Sequence, residues 1–323
     1  MKDTRLALVG FSGALIIGLA GCATAPQAAP AGAKPALGNE VVASADVVTK
    51  SGAFKNPLDS VPNPSEDTIY FTATGNNGKG VFRVPAAGGA AEEVATGAPF
   101  VAPRGIAIST DGKQVFVTDA QSGQIFVVPA MGGKPSPLRG TQGTAPRGMD
   151  VVSMGGADVV YFTGSDPADG KPAVMKIAAT GDTAPTVVAK GAPLVAPDAV
   201  VITKAGVLYV SDQSAGSANS GAVLKVMGGT VTKIADALKL GEPGGVALTP
   251  DDGVLLVSSI DKAKGTDQVL LIELSSLQTG VVTAVVSENH AAGGVHRASG
   301  KGLFSWADYS GGGDGRVYGI RLH

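Results

Sequence analysis

The sequence predicts an all-β fold, a six-bladed β-propeller of four-stranded blades. Three observations carry that prediction: a strand pattern repeated about every 47 residues, the turn chemistry inside each repeat, and termini that complete one another.

The second strand of each repeat fixes the register. It reads Ile69-Tyr70-Phe71-Thr72, Val115-Phe116-Val117-Thr118, Val160-Tyr161-Phe162-Thr163, Leu208-Tyr209-Val210-Ser211, Leu255-Leu256-Val257-Ser258 and Leu303-Phe304-Ser305-Trp306. Steps from Tyr70 through Phe116, Tyr161, Tyr209, Leu256 and Phe304 are 46, 45, 48, 47 and 48 residues. Residues 41–322 number 282, and 282/6 is 47. A period of this length built from short strands, with no helical 3.6-residue period, marks a radial repeat fold. Aromatic and β-branched residues dominate these strands, as burial on both faces requires.

Turn residues divide each repeat. Thr110-Asp111-Gly112 and Asp251-Asp252-Gly253 mark the hairpin between the first two strands. Gly-Gly pairs at 88–89, 132–133 and 228–229 follow the third strand, and segments such as Ala91–Ala95 and Thr230–Ile234 supply a fourth. Gly75-Asn76-Asn77-Gly78-Lys79-Gly80 lacks the Lys-Ser/Thr ending and helix of a phosphate loop, so it reads as a hairpin. Four strands per unit make propeller blades. The last repeat stops after its third strand, Arg316–Leu322. Its missing fourth strand is predicted in residues 40–48, which closes the ring and removes two open edges.

Composition bounds the function. The chain has 323 residues, 47 of them Gly, with 16% charged residues and a formal net charge of −2, so nothing in it attracts nucleic acid. The only cysteine, Cys22, ends the run Leu19-Ala20-Gly21-Cys22 behind Lys2, Arg5 and a short apolar stretch. This resembles the lipobox of a bacterial lipoprotein signal peptide. The resemblance implies a signal over residues 1–21, lipidation of Cys22 and stable membrane attachment by two anchoring signals on one residue. An ordinary secretory signal is the alternative. Ala23 follows the cysteine, so the outer membrane is the expected address, with a periplasmic or surface-exposed face. Residues 22–39 form an Ala/Pro-rich tether, and residues 40–323 the propeller, expected to be monomeric.

The fullest repeat runs Pro103-Arg104-Gly105-Ile106-Ala107-Ile108-Ser109-Thr110-Asp111-Gly112, followed by Val115-Phe116-Val117-Thr118-Asp119. This pattern resembles NHL-type and gluconolactonase-type (senescence-marker) six-bladed propellers, over nearly all of residues 41–322. In the gluconolactonase-like relatives a divalent metal at the tunnel mouth takes Glu, Asn or Asp ligands from the residue before the turn glycine. The corresponding column here is Leu58, Arg104, Arg147, Asp198, Gly244 and Gly293. Only Asp198 is a ligand type, with Asp59 one step off register, and two arginines oppose a cation. No cofactor is expected, with Ca²⁺ at Asp198 and Asp59 the weaker alternative.

Arg104 and Arg147 occupy equivalent places in adjacent blades. Their guanidinium groups either converge on a carboxylate or phosphate ligand, together with Asp198 and Asp59, or pair with those carboxylates and lock the loops. The next hub column holds Val61, Ala107, Asp150, Val201, Ala247 and His296. Asp150 and His296 break its small apolar rule on opposite sides of the ring. They either line a hydrated tunnel or perform acid–base work. Asp119, Asp212 and Asp308 end second strands, where turn hydrogen bonding is the ordinary role.

The expected function is a membrane-anchored envelope lipoprotein whose propeller binds a protein partner or a small ligand, anions included. The sequence leans away from an enzyme because the metal column is largely replaced. The alternatives are a gluconolactonase-like hydrolase or lyase with a rearranged tunnel-mouth site, and a structural role through the blade rims.

Overall fold

A computed structural model describes residues 40–41, 43–282, 292–309 and 315–322. The expected signal segment, Cys22 and the tether through residue 39 lie outside the described residues. The described chain forms six sheets arranged as blades. Blade one comprises Phe54–Pro62, Thr68–Gly75, Gly78–Pro85 and Glu92–Thr96. Blade two comprises Pro103–Ile108, Gln114–Asp119, Gln124–Pro129 and Ser136–Pro137. Blade three comprises Met149–Met154, Ala157–Ser165, Pro172–Ala178 and Thr186–Lys190. Blade four comprises Pro197–Ile202, Leu208–Asp212, Gly221–Met227 and Thr230–Leu238. Blade five comprises Val246–Leu248, Val254–Ile260, Asp267–Glu273 and Thr279–Val282. The sole described helix is one 3₁₀ turn, Ser217–Asn219, and none is long and apolar enough to cross a membrane.

Blade six takes Ala292–Arg297, Leu303–Asp308 and Arg316–Leu322 from the C-terminus, and Ala43–Lys50 from the N-terminus as its outer strand. Ala43 pairs with Leu322 and Lys50 with Arg316, antiparallel, as the incomplete last repeat predicts. The structure differs from the expected start at residue 40. Glu40 and Val41 pair in parallel with Val281 and Val282 of blade five instead. A chain entering blade six from the rim passes the open edge of blade five, whose backbone groups take up those partners.

Each blade packs on the next through its own apolar cluster. Val61, Tyr70 and Val81 of blade one meet Ile106, Val117 and Phe126 of blade two, and the pattern continues around the ring. Trp306 is wholly buried between blades five and six, and its Nε1–H donates to Ser258 Oγ at 3.1 Å. It is core, as its place in a second strand suggests.

Polar clasps supplement this packing. The hydroxyl closing a second strand donates to the hub carbonyl of the next blade: Thr72 to Arg104 O at 2.7 Å, Thr118 to Arg147 O, and Thr163 to Asp198 O at 2.8 Å. Asp119 and Asp212 hold turns as expected, accepting from Ser122 and Ser214 N–H. They also reach inward, Asp119 to the N–H groups of Val101 and Ala102, and Asp212 to those of Val195 and Ala196. Each buried carboxylate thereby fixes the loop that delivers the next residue of the hub column.

The turn glycine of the repeat has a steric cause. A Cβ on Gly105 would lie 2.4 Å from Arg147 O, and one on Gly294 would lie 1.8 Å from Asp59 Oδ1. Neighbouring hub strands approach too closely there for any side chain.

Candidate functional site

The hub is where the repeat departs from itself. Val61, Ala107, Asp150, Val201, Ala247 and His296 all line one central cavity, so the aligned column is the tunnel wall. The cavity is narrow, about 70 Å³, room for roughly two waters at liquid density. Asp150 and His296 therefore face a narrow polar lumen.

Asp150 Oδ2 accepts from Ile202 N–H at 3.1 Å, a bond from blade three to blade four. Burial pushes its carboxyl above the usual range, although the Ile202 amide and the charges of His296 and Arg297 work the other way. His296 does not pair with Asp150. Its Nε2–H donates to Asp59 Oδ2 at 3.0 Å, across the junction of blades six and one. Burial disfavours the imidazolium, but the Asp59 charge and hydrogen bond, with Asp150 beyond, outweigh it and hold the His296 pKa above its ordinary value. Asp59 also accepts the N–H groups of Ser60 at 2.8 Å and Ile106 at 3.0 Å.

The mouth column is aimed by backbone irregularities. Register shifts interrupt the inner hairpins between Lys55 and Asp59, Pro103 and Ile106, Pro197 and Ala199, and Ala292 and Val295. Leu58, Arg104, Asp198 and Gly293 fall inside these interruptions, which turn a side chain out of the sheet's normal alternation.

Arg104 crosses from blade two to blade four, where its Nη2 donates to Asp198 Oδ1 and Oδ2, each at 3.2 Å. Glu242 of the next loop approaches its Nη1 at 3.8 Å. Asp198 is fully buried and also accepts from Gln213 Nε2 at 2.9 Å and Gly244 N–H at 2.6 Å. Arg147 enters the intervening blade three. Its backbone is held by Thr118 and Thr163, while its half-buried side chain makes no hydrogen bond or ion pair among the described residues.

The Ca²⁺ that the family resemblance implies does not fit this arrangement. A calcium site requires six or more oxygens. Asp198 is committed to a guanidinium and two N–H donors, and Asp59 to an imidazole and two amides. Among the described residues no three His, Cys, Asp or Glu side chains gather in a way that could hold a metal ion.

The structure thus joins Arg104 to Asp198 and Asp59 to His296, and leaves Arg147 and Asp150 outside both pairs. Sequence reasoning named these residues but missed Gln213, Glu242 and Arg297. Gln213 directly follows Asp212, and Arg297 follows His296, so each was one step beyond a marked position.

No protein-family model matches the chain. No curated protein matches it either. Solved structures do. The PQQ-bound aldose sugar dehydrogenase of Streptomyces coelicolor is similar over 88% of this chain and 99% of that one, with TM-score 0.62 and 14% identity. A streptogramin B lyase is similar over 87% and 98%, with TM-score 0.55 and 12% identity. A chain of a nidogen/laminin complex is similar over 75% and 84%, with TM-score 0.59 and 16% identity. Such low identities establish the propeller fold alone, and these neighbours range from enzymes to a binding complex.

Proposed function

We propose that this protein is a lipid-anchored envelope lipoprotein whose propeller is a binding module, with an anion-binding position on the tunnel axis. One observation carries the reading. At the column where lactonase-type relatives place metal ligands, Arg147 presents a guanidinium without a partner among the described residues, beside an Arg104 fixed by Asp198. An unpaired guanidinium favours a carboxylate or phosphate, and the backbone that carries it is held by Thr118 and Thr163.

The hydrolase or lyase alternative gains the Asp59–His296 pair, a carboxylate-oriented imidazole. It loses on space, because the lumen at His296 is narrow, about 70 Å³. The similarity to an aldose sugar dehydrogenase and a lyase bears on architecture and supports neither chemistry.

Calorimetry with sugar acids, dicarboxylates and inorganic phosphate tests the axial site. Binding of one class, weakened at least about tenfold by Arg147→Ala, is expected; affinity unchanged by that substitution removes the reading. The anchor is tested separately. Fatty-acid labelling of the expressed chain should mark the protein, and Cys22→Ala should abolish the label and release the protein from the membrane fraction. A Cys22→Ala chain that stays labelled overturns lipidation at that residue.

A further inference from the structure

A second cavity opens off the axis between blades one and two, on the same face as the tunnel mouth. Its volume is about 260 Å³, against about 70 Å³ for the tunnel. That is room for roughly nine waters at liquid density, the size of a one-ring organic acid. Leu58, Pro103 and Ala120 supply apolar wall, Asn56 and Thr74 a polar stretch, and Tyr309, from the loop after the second strand of blade six, an aromatic ring.

The charge around this space is one-sided. Lys79 and Arg104 are among the lining residues and no acidic residue is. Arg104 is already neutralised by Asp198. Lys79 is not: its exposed ammonium donates to Val101 O at 3.2 Å and meets no carboxylate among the described residues. A small pocket with a partly apolar wall and one cation unpaired by any carboxylate favours a ligand with an apolar face and a single negative charge. A sugar acid, hydroxylated on every carbon but that of its carboxylate, carries more hydroxyls than Asn56 and Thr74 can partner, and the rest would lie against Leu58 and Pro103.

We propose that the cleft between blades one and two is a binding site for small aromatic carboxylates, with Lys79 holding the carboxylate and Leu58, Pro103, Ala120 and Tyr309 enclosing the ring. The site goes beyond the axial reading and stands apart from it, because Arg147 does not line it.

Titration of the full chain by calorimetry tests it, with benzoate as probe, benzyl alcohol as the uncharged analogue and gluconate as the polar anion. Benzoate should bind with a dissociation constant near or below about 1 mM, as a ligand of this size permits, and more tightly than either control. Lys79→Met should weaken benzoate by about fivefold to tenfold and leave benzyl alcohol unaffected. Ala120→Trp, at an exposed position, should fill the cleft and abolish both. Arg147→Ala should leave benzoate binding intact even where it removes an axial anion, so the two sites fail independently. Absence of benzoate binding, equal affinity for benzyl alcohol, or affinity that survives both Lys79→Met and Ala120→Trp overturns the site. Loss of benzoate binding in Arg147→Ala with no change in Lys79→Met assigns the ligand to the axis and overturns it equally.

Discussion

Arg104 and Asp198 bridge blades two and four over the intervening blade three, the guanidinium Nη2 lying 3.2 Å from both carboxylate oxygens. The carboxylate is wholly buried and the arginine side chain is 21% exposed. A span of this kind ties the hub strands of blades two and four together across the one between them.

Removing the arginine strands a buried charge. Arg104→Met should therefore cost about 2–4 kcal/mol in denaturant unfolding, near the lower end for a broken buried pair because Gln213 and Gly244 still donate to Asp198. Arg104→Met/Asp198→Asn should recover part of that loss. A single-variant cost below about 0.5 kcal/mol would show that the bridge contributes no more than a surface pair.

Gly294 is a steric requirement of the ring's junction. Gly294→Ala would bring Cβ within 1.8 Å of Asp59 Oδ1, so either the hub strands separate or Asp59 leaves His296. The expected penalty is about 3 kcal/mol or more. Wild-type stability in the alanine variant would disprove the close approach.

The Asp59–His296 pair predicts a pH dependence of definite sign. The folded pKa of His296 lies above its unfolded value of about 6.5. Folding therefore retains the proton, and this contribution is complete below about pH 6.5 and lost as pH rises through the folded pKa. Asp150, also raised, adds a slope of the same sign, starting at lower pH, near the ordinary carboxylate range. Thermal unfolding of wild type should show stability falling on the alkaline side, and His296→Gln should flatten that fall. Parallel profiles for the two proteins would contradict the assignment.

Deletion of residues 40–48 removes most of the outer strand of blade six. The melting temperature should drop by about ten degrees or more, with loss of cooperativity, since an edge is exposed and the ring opened. Unchanged cooperative unfolding would defeat ring closure by this strand.

Much of this architecture was legible because repetition acts as an alignment of the chain with itself. Tyr70, Phe116 and Tyr161 gave the register, and from it the tunnel column fell out as six residues that do line one cavity. The partnerships were not legible. Asp59 sits one residue off the mouth column and His296 in the next column, so nothing in linear spacing announced a contact between residues 237 apart. The bulges that aim Arg104 at Asp198 are backbone events, visible in sequence only as a Pro-x-Gly, a triplet that ordinary tight turns use as well. The short outer strand of blade two, Ser136–Pro137, was likewise hidden, because proline ends a ladder without saying how much precedes it.

The pairing of Ala43–Lys50 with Arg316–Leu322 also sets an order of events during synthesis. Among the described strands this one leaves the ribosome early yet is the last to find its place, since its partner is made roughly 270 residues later. Until then five blades can stack one on another while the sixth has no outer strand and the first has no neighbour on its far side. Whatever shields that waiting segment, with Val47 and Val48 on it, governs how much of the protein reaches its finished ring.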